Sequence, residues 1–240
     1  MNFEPTTTVR ELAVAIPGAT RVFEKMGIDY CWGGQQSLSH ACAKAGISIE
    51  EVTNSLQDAK PAKAKTETDF LAMNLAELID HIIETHHVFT KIEIGRLRTL
   101  MNKVCSVHGN NHPELIRLLS LYESLAAELI THMMKEERVL FPYVVAMEES
   151  VRHNSTMQMP QFGTVANPVR TMMREHDNAG ELLKAMRQLT SDYAIPADVC
   201  VSYQTLYQAL DAFEKDLHQH IHLENNLLFP KAIEMEPTVM

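Results

Sequence analysis

At 240 residues and 27.1 kDa the chain is long enough to bury a sizeable core, as one large domain or two smaller ones. Its formal charge of −10 and pI near 5.6 set it against nucleic-acid backbones and anionic membrane surfaces as partners, because like charges repel, and in favour of cations. Few glycines and aromatics, with abundant Met, Leu, Ala and Glu, predict an all-α fold.

Residues 1–58 read as a small helical N-terminal domain. Pro17 opens a segment that runs to Lys25, a turn follows over Asp29-Tyr30-Cys31-Trp32-Gly33-Gly34, Ser37 and Ser48 have the chemistry of N-caps, and Gly46 ends the helix between them. Residues 59–71, beginning with the Lys, Ala and Pro of 60–65, carry nothing that can be buried and read as a linker.

From 72 to 240 four segments keep helical periodicity, over about 72–106, 113–147, 167–190 and 198–234. With Pro113, Pro168 and Pro196 near their starts and short first and third connectors, they predict an up-down four-helix bundle. The longer connector, about 148–166, reads as a functional flap or a mobile segment.

The four cysteines, Cys31, Cys42, Cys105 and Cys200, form no C-x-x-C pair, so neither a zinc knuckle nor a dense disulfide framework is expected. The start of the chain has no basic region followed by an apolar core, and no apolar run approaches the roughly eighteen residues of a membrane span. A cytoplasmic protein in a reducing compartment is the expectation.

An internal repeat carries the chemistry. The pattern H-x3-E-x3-L-F-P runs from His132 to Pro142 and again from His220 to Pro230, 88 residues on. A lone histidine precedes each copy, His87 by 45 residues and His176 by 44. Residues four apart share a helix face, so His132 with Glu136, and His220 with Glu224, project together into a bundle. Imidazoles from the other two helices then give four nitrogens and two carboxylates converging on one centre.

A single inward histidine is more often a hydrogen-bonded core residue, and an i,i+4 His–Glu pair also serves as surface support. The repetition with matched lone histidines decides for metal. Two carboxylates able to bridge predict a dinuclear site, and imidazole plus carboxylate without thiolate suits iron or manganese. Each ion would have two nitrogens and two oxygens from protein, leaving positions for an oxo or hydroxo bridge and an outside ligand.

Glu128 and Asp216 stand one turn before His132 and His220, where they read as orienting acids or a polar route for iron. Glu175 adjoins His176 but points about a hundred degrees away, so it reads as a third supporting acid or iron-path residue rather than as a direct ligand beside it. His81, His86, His218 and His222 lie off the repeat's faces and His108 and His112 in a connector, so these read as solvated or supporting. Pro142 and Pro230 should kink their helices just beyond the site.

With both copies of the repeat in hand, residues 72–234 resemble the hemerythrin-like domain. The head turn from Asp29 to Leu38 and the run from Arg174 to Leu183 extend that resemblance to the repair-of-iron-centres family over nearly the whole chain. The resemblance implies two iron ions per chain, held by His87, His132, His176 and His220 as terminal ligands and by Glu136 and Glu224 as bridges. Members usually carry two adjacent cysteines in the head; here the second place is Trp32, so Cys31 acts as a single redox or transfer thiol, or pairs with a second chain in a homodimer.

The function so implied is restoration of iron–sulfur clusters damaged by nitric oxide or peroxide, by iron donation rather than by turnover, with damaged iron–sulfur proteins as partners. A nitric oxide or dioxygen scavenger or sensor is the alternative, and a redox enzyme acting on nitric oxide or peroxide a third reading. The head with Cys31 favours the donor, since a pure carrier has no need of it.

Overall fold

A computed structural model describes residues 4–16, 18–58 and 69–240. Pro17 and most of the expected linker, 59–68, lie outside the described residues. The head comprises α1 (Val9–Ala15), α2 (Ala19–Lys25), α3 (Leu38–Ala45) and α4 (Ile49–Asp58). Thr8 and Glu11 form a capping box at the start of α1, Ser37 caps α3, and Gly46 ends α3 in the left-handed conformation. Gly34 closes the intervening loop: a Cβ there would stand 2.9 Å from the Tyr30 carbonyl oxygen, so only glycine lets the two stretches approach.

The bundle's first helix is α5 (Leu75–His81), a π turn (Ile82–His87) and α6 (Val88–His108) in one continuous run. The second is α7 (Glu114–Lys135), a π turn (Glu136–Leu140) and α8 (Phe141–Arg152). The third is α9 (Ala166–Leu189). The fourth is α10 (Val201–Leu223), a π turn (Glu224–Leu228) and α11 (Phe229–Met235), ending in a short 3-10 turn (Glu236–Thr238). The second helix packs on the first and third, and the fourth on the first. No β-strand occurs among the described residues; the fold is all-α, and no helix is long and apolar enough to cross a membrane.

Each of the two prolines follows a locally widened turn. Proline lacks an N–H and crowds the carbonyl four residues back, and the chain answers with a π turn immediately upstream, closed by the Phe141 N–H on the Glu136 carbonyl and the Phe229 N–H on that of Glu224. The carbonyl that Pro230 leaves free, on Asn226, accepts from the Arg10 guanidinium of the head at 3.1 Å.

Two apolar clusters fill the interior. One joins head residues such as Phe23, Tyr30, Cys31 and Leu38 to Leu97, Leu125, Phe213 and Leu217 of the bundle, so head and bundle share a core. The other gathers Leu78, Ile82, Phe141, Val165, Phe229 and Val239 at the opposite end. The connector after α8 is tied down there rather than hanging free: the Met157 N–H donates to the Val239 carbonyl at 2.7 Å, and the Val165 N–H to Glu236 Oε1 at 2.7 Å. Phe162 meets Tyr143 edge to face at 5.0 Å.

Glu148 of α8 caps the start of α5 from outside, its two oxygens accepting from the Leu75 and Ala76 N–H groups at 2.7 and 3.1 Å. Replacing it should expose two unpaired donors at a positive helix end, so Glu148→Ala is expected to lower unfolding stability by about 1 kcal/mol in a urea titration, with the exposed neighbour Glu149→Ala near zero.

Candidate metal centre

Between the two apolar clusters lies a layer of six ionisable side chains. His87, Glu136 and Glu224 have no exposure, and His132, His176 and His220 at most 3%. Their donor atoms form two groups that share both carboxylates: His87, His220, Glu136 and Glu224 in one, His132, His176, Glu136 and Glu224 in the other, with all atoms of each group within 4.8 Å. Every predicted ligand is therefore brought to one place.

Backbone geometry sets their aim. His87 closes the first π turn, while Glu136 and Glu224 open the other two, so three of the six ligands sit where the helix is locally widened. The Phe of each Leu-Phe-Pro stacks on the lone histidine of the preceding helix: Phe141 on His87 at 5.7 Å and Phe229 on His176 at 6.0 Å. These rings fix the imidazole planes that the metal reading requires.

The outer imidazole nitrogens show which way the inner ones face. His87 Nδ1 lies 2.7 Å from Glu137, His132 Nδ1 2.9 Å from Glu175 and His176 Nδ1 2.9 Å from the side-chain Oδ1 of Asn225. Each acceptor holds the proton on Nδ1, so in the neutral ring Nε2 presents a bare lone pair inward. There His87 and His220 Nε2 approach to 3.1 Å, and His132 and His176 Nε2 to 3.0 Å. Both oxygens of Glu136 and one of Glu224 are buried without a well-directed hydrogen bond among the described residues, their nearest neighbours being the inward Nε2 atoms of His132, His87 and His176 at 3.2, 3.5 and 3.1 Å. Facing lone pairs and unpartnered carboxylate oxygens repel one another unless cations sit among them, so the residues fit a metal site.

The electrostatics agree. Burial pulls His132 down, but the Glu136 carboxylate 3.2 Å away, with help from Glu175 and Glu224, pushes it up to about 10. Burial and the Glu224 charge raise the Glu136 carboxyl, and the imidazoles of His132 and His87 more than offset them, leaving it below the usual range. Glu224 lies well below that range, its burial outweighed by His220 and His176. The two carboxylates, held anionic, draw positive charge into this layer, whether protons or metal, while burial outweighs Glu224 at His220 and keeps that imidazole below its ordinary range.

The supporting acids differ from the sequence expectation. Glu128 is exposed and the His132 Nδ1 bonds Glu175 instead, while Asp216 bonds His86 Nδ1 at 3.0 Å rather than His220. The reason is directional: a residue one turn back lies along the helix axis, whereas a ligating imidazole turns its outer nitrogen sideways to the next helix. The acceptor therefore comes from across the bundle, as Glu137, Glu175 and Asn225 do. Sequence reasoning missed Glu137 and Asn225; the available signal was their common place in the repeat, immediately after the glutamate of each copy.

His86 and His222 are buried, not solvated. The widened first turn carries His86 inward with His87, and it stacks on His220 at 5.7 Å with the planes 4° apart. His218 and His222 form the face of α10 that receives the head, against Trp32 and Tyr30 respectively. Cys31 is buried in the same contact, its thiol donating to the His218 carbonyl at 3.0 Å. Burial, then the Asp29 and Glu24 charges, push that thiol well above its ordinary range.

The exposed thiol is Cys200, brought down to about 7 by the His108 imidazole 3.1 Å away and by backbone N–H groups at the start of α10. Burial raises the thiols of Cys42 and Cys105. One fast-reacting thiol is expected with an aromatic disulfide reagent near neutral pH, absent in Cys200→Ser. Its rate should rise with pH through about 7, because the thiolate forms as pH increases, and His108→Ala should move that midpoint up toward about 8.5. Metal affinity gives a second check: Glu175→Gln should weaken it by about 10–100-fold in a chelator competition, and Glu128→Gln should leave it unchanged.

Comparison with known proteins places this geometry. Residues 78–232 match the hemerythrin HHE cation binding domain, and residues 5–60 match ScdA_N, a domain described as of unknown function. The chain is 36% identical to a probable iron-sulfur cluster repair protein of Haemophilus influenzae, covering 93% of this chain and 95% of the relative. It is 36% identical to the iron-sulfur cluster repair protein YtfE of Escherichia coli (strain IAI1) and 35% to that of Dickeya chrysanthemi, each over 94% of this chain and 96% of the relative. With a cation-binding bundle, the matching head and full-length similarity, the chain belongs to the hemerythrin-type iron–sulfur cluster repair family.

Proposed function

We propose that the chain holds two iron ions joined by an oxo or hydroxo bridge, and repairs damaged iron–sulfur clusters by giving iron to them. The observation that carries this is the pair of four-residue groups sharing Glu136 and Glu224, in a chain whose full-length relatives bear the repair name.

Iron is then the cargo. The two carboxylates offer hard oxygen and four imidazoles borderline nitrogen, a set that favours iron over cations that prefer thiolate. Glu137, Glu175 and Asn225 fix three of the imidazoles in the tautomer that presents Nε2 inward, while the apolar clusters on either side keep water from competing for the donors. Reduction of ferric to ferrous iron weakens the attraction of two negative carboxylates and favours hand-over. Asp216, one-fifth exposed and bonded to the His86 ring that stacks on His220, is the polar group leading outward from one half of the site.

Purified protein is expected to contain about two irons per chain, as two shared carboxylates require. Glu136→Leu or Glu224→Leu should lose them. Mixing iron-loaded protein with an apo iron–sulfur protein should regenerate the client's cluster absorbance when a reductant and sulfide are supplied. One zinc ion per chain would sink the di-iron reading. Failure of transfer together with tight reversible nitric oxide binding would replace the donor with a scavenger.

A further inference from the structure

The four ligating histidines are not supported alike. His87 and His132 lean on carboxylates of the bundle itself, Glu137 and Glu175, and His220 Nδ1 has no partner among the described residues. His176 alone is held through the head. Asn225 Oδ1 accepts from its Nδ1, and the same amide's Nδ2 points to the Cys31 carbonyl oxygen at 3.5 Å, a long contact. The Trp32 indole N–H donates to the His176 backbone carbonyl at 2.8 Å.

The Trp32 contact is built, not incidental. A carbonyl has two lone pairs, so the oxygen can serve the helix and the indole together. The ring lies flat enough on α9 that a Cβ at Gly180, one turn beyond His176, would stand 3.0 Å from Cε2 of Trp32. Glycine at 180 is what lets the indole reach. On either side of Trp32 the same turn is fixed to the fourth helix, with the Cys31 thiol on the His218 carbonyl and Asn226 Nδ2 donating to the Tyr30 carbonyl at 2.9 Å.

We infer that head docking and metal retention are coupled through one half of the centre: Trp32 and Asn225 are positioning residues by which the Tyr30–Trp32 turn orients His176 and so holds the ion of the His132–His176 group. The His87–His220 group has no contact with that turn among the bonds described. This rests on the proposed two-ion site. Coupling of this kind is reciprocal, so an ion in the His132–His176 half must tighten the head by the same factor as the head tightens the ion. A partner that peels the head away would then release one iron and not the other. A cysteine at position 32 has neither the ring nor the N–H for this contact.

The test uses the full chain, with ferrous iron added under anaerobic conditions. In the wild type, iron loading should slow hydrogen exchange at the amides of residues 30–32, and the single tryptophan, Trp32, should change its emission on loading. In a chelator-release experiment Trp32→Phe, which keeps a ring but removes the donor, and Asn225→Leu should each speed loss of one ion by about 10–100-fold while the other leaves at its wild-type rate. Asn225→Asp, which keeps the acceptor for His176 but sets a charge against the Cys31 carbonyl, should retain the ion better than Asn225→Leu while losing the iron-dependent protection of residues 30–32. Equal acceleration of both ions, head exchange indifferent to iron, or variants indistinguishable from wild type would overturn the coupling. Binding of a single ion per chain would instead defeat the two-ion reading; the coupling then stands if loading that ion still protects residues 30–32, and falls if it does not.

Discussion

Two carboxylates with no solvent exposure, Glu136 and Glu224, face each other in the middle of the bundle, and much of the structure answers to them. A buried unpaired carboxylate costs several kcal/mol, and a second beside it adds repulsion. Four imidazoles supply the nearest compensation. Beyond them, Glu137 and Glu175 return negative charge to the outer nitrogens, and Lys91 and Lys135 in turn pair with those acids nearer the surface. Charge thus alternates outward in shells. The arrangement is strongest where water is excluded, and the apolar clusters on both sides of the layer supply that exclusion.

The backbone follows from the same demand. A regular α-helix places residues i and i+4 one above the other, close to a shared centre but not converging on it. Widening the helix at Glu136 and Glu224 gives each carboxylate room to swing inward, and the Leu-Phe-Pro that follows stabilises the widened turn: proline cannot offer the N–H that a regular turn would use, and phenylalanine fills the space against an imidazole. The repeated tripeptide is thereby part of the site's construction. The first helix has a π turn of its own at Ile82–His87 without a proline, so proline favours the π turn but is not needed for it.

The helices and the ligands were legible because both obey short-range periodicities. The predicted segments fall within a few residues of the observed rods, with the second running on to Arg152, and the repeat singled out the six side chains that converge. What contacts those ligands was not legible, since it depends on which helix stands beside which. Glu128 shares a helix with His132 yet faces water, while Glu175 reaches the same ring from another helix. Likewise His218 and His222 read as polar surface until the head is laid over them. Burial there is a property of the docked pair of modules, which no periodicity within α10 encodes.

The repeat also shows where symmetry had to break. At the place after the glutamate of each copy the first has Glu137 and the second Asn225. Either can accept from a histidine Nδ1, and a carboxylate does so more strongly. Only the amide also carries N–H donors, and only the second copy lies beneath the head, where a backbone carbonyl of Cys31 waits for one. A carboxylate at 225 would set a negative charge against that carbonyl in a nearly closed contact. The next position repeats the logic, with Asn226 giving its side-chain N–H to Tyr30 and its proline-freed carbonyl to Arg10. Two asparagines in sequence thus turn one end of a symmetric metal bundle into a surface that reads a second module, at the cost of a weaker hold on one imidazole.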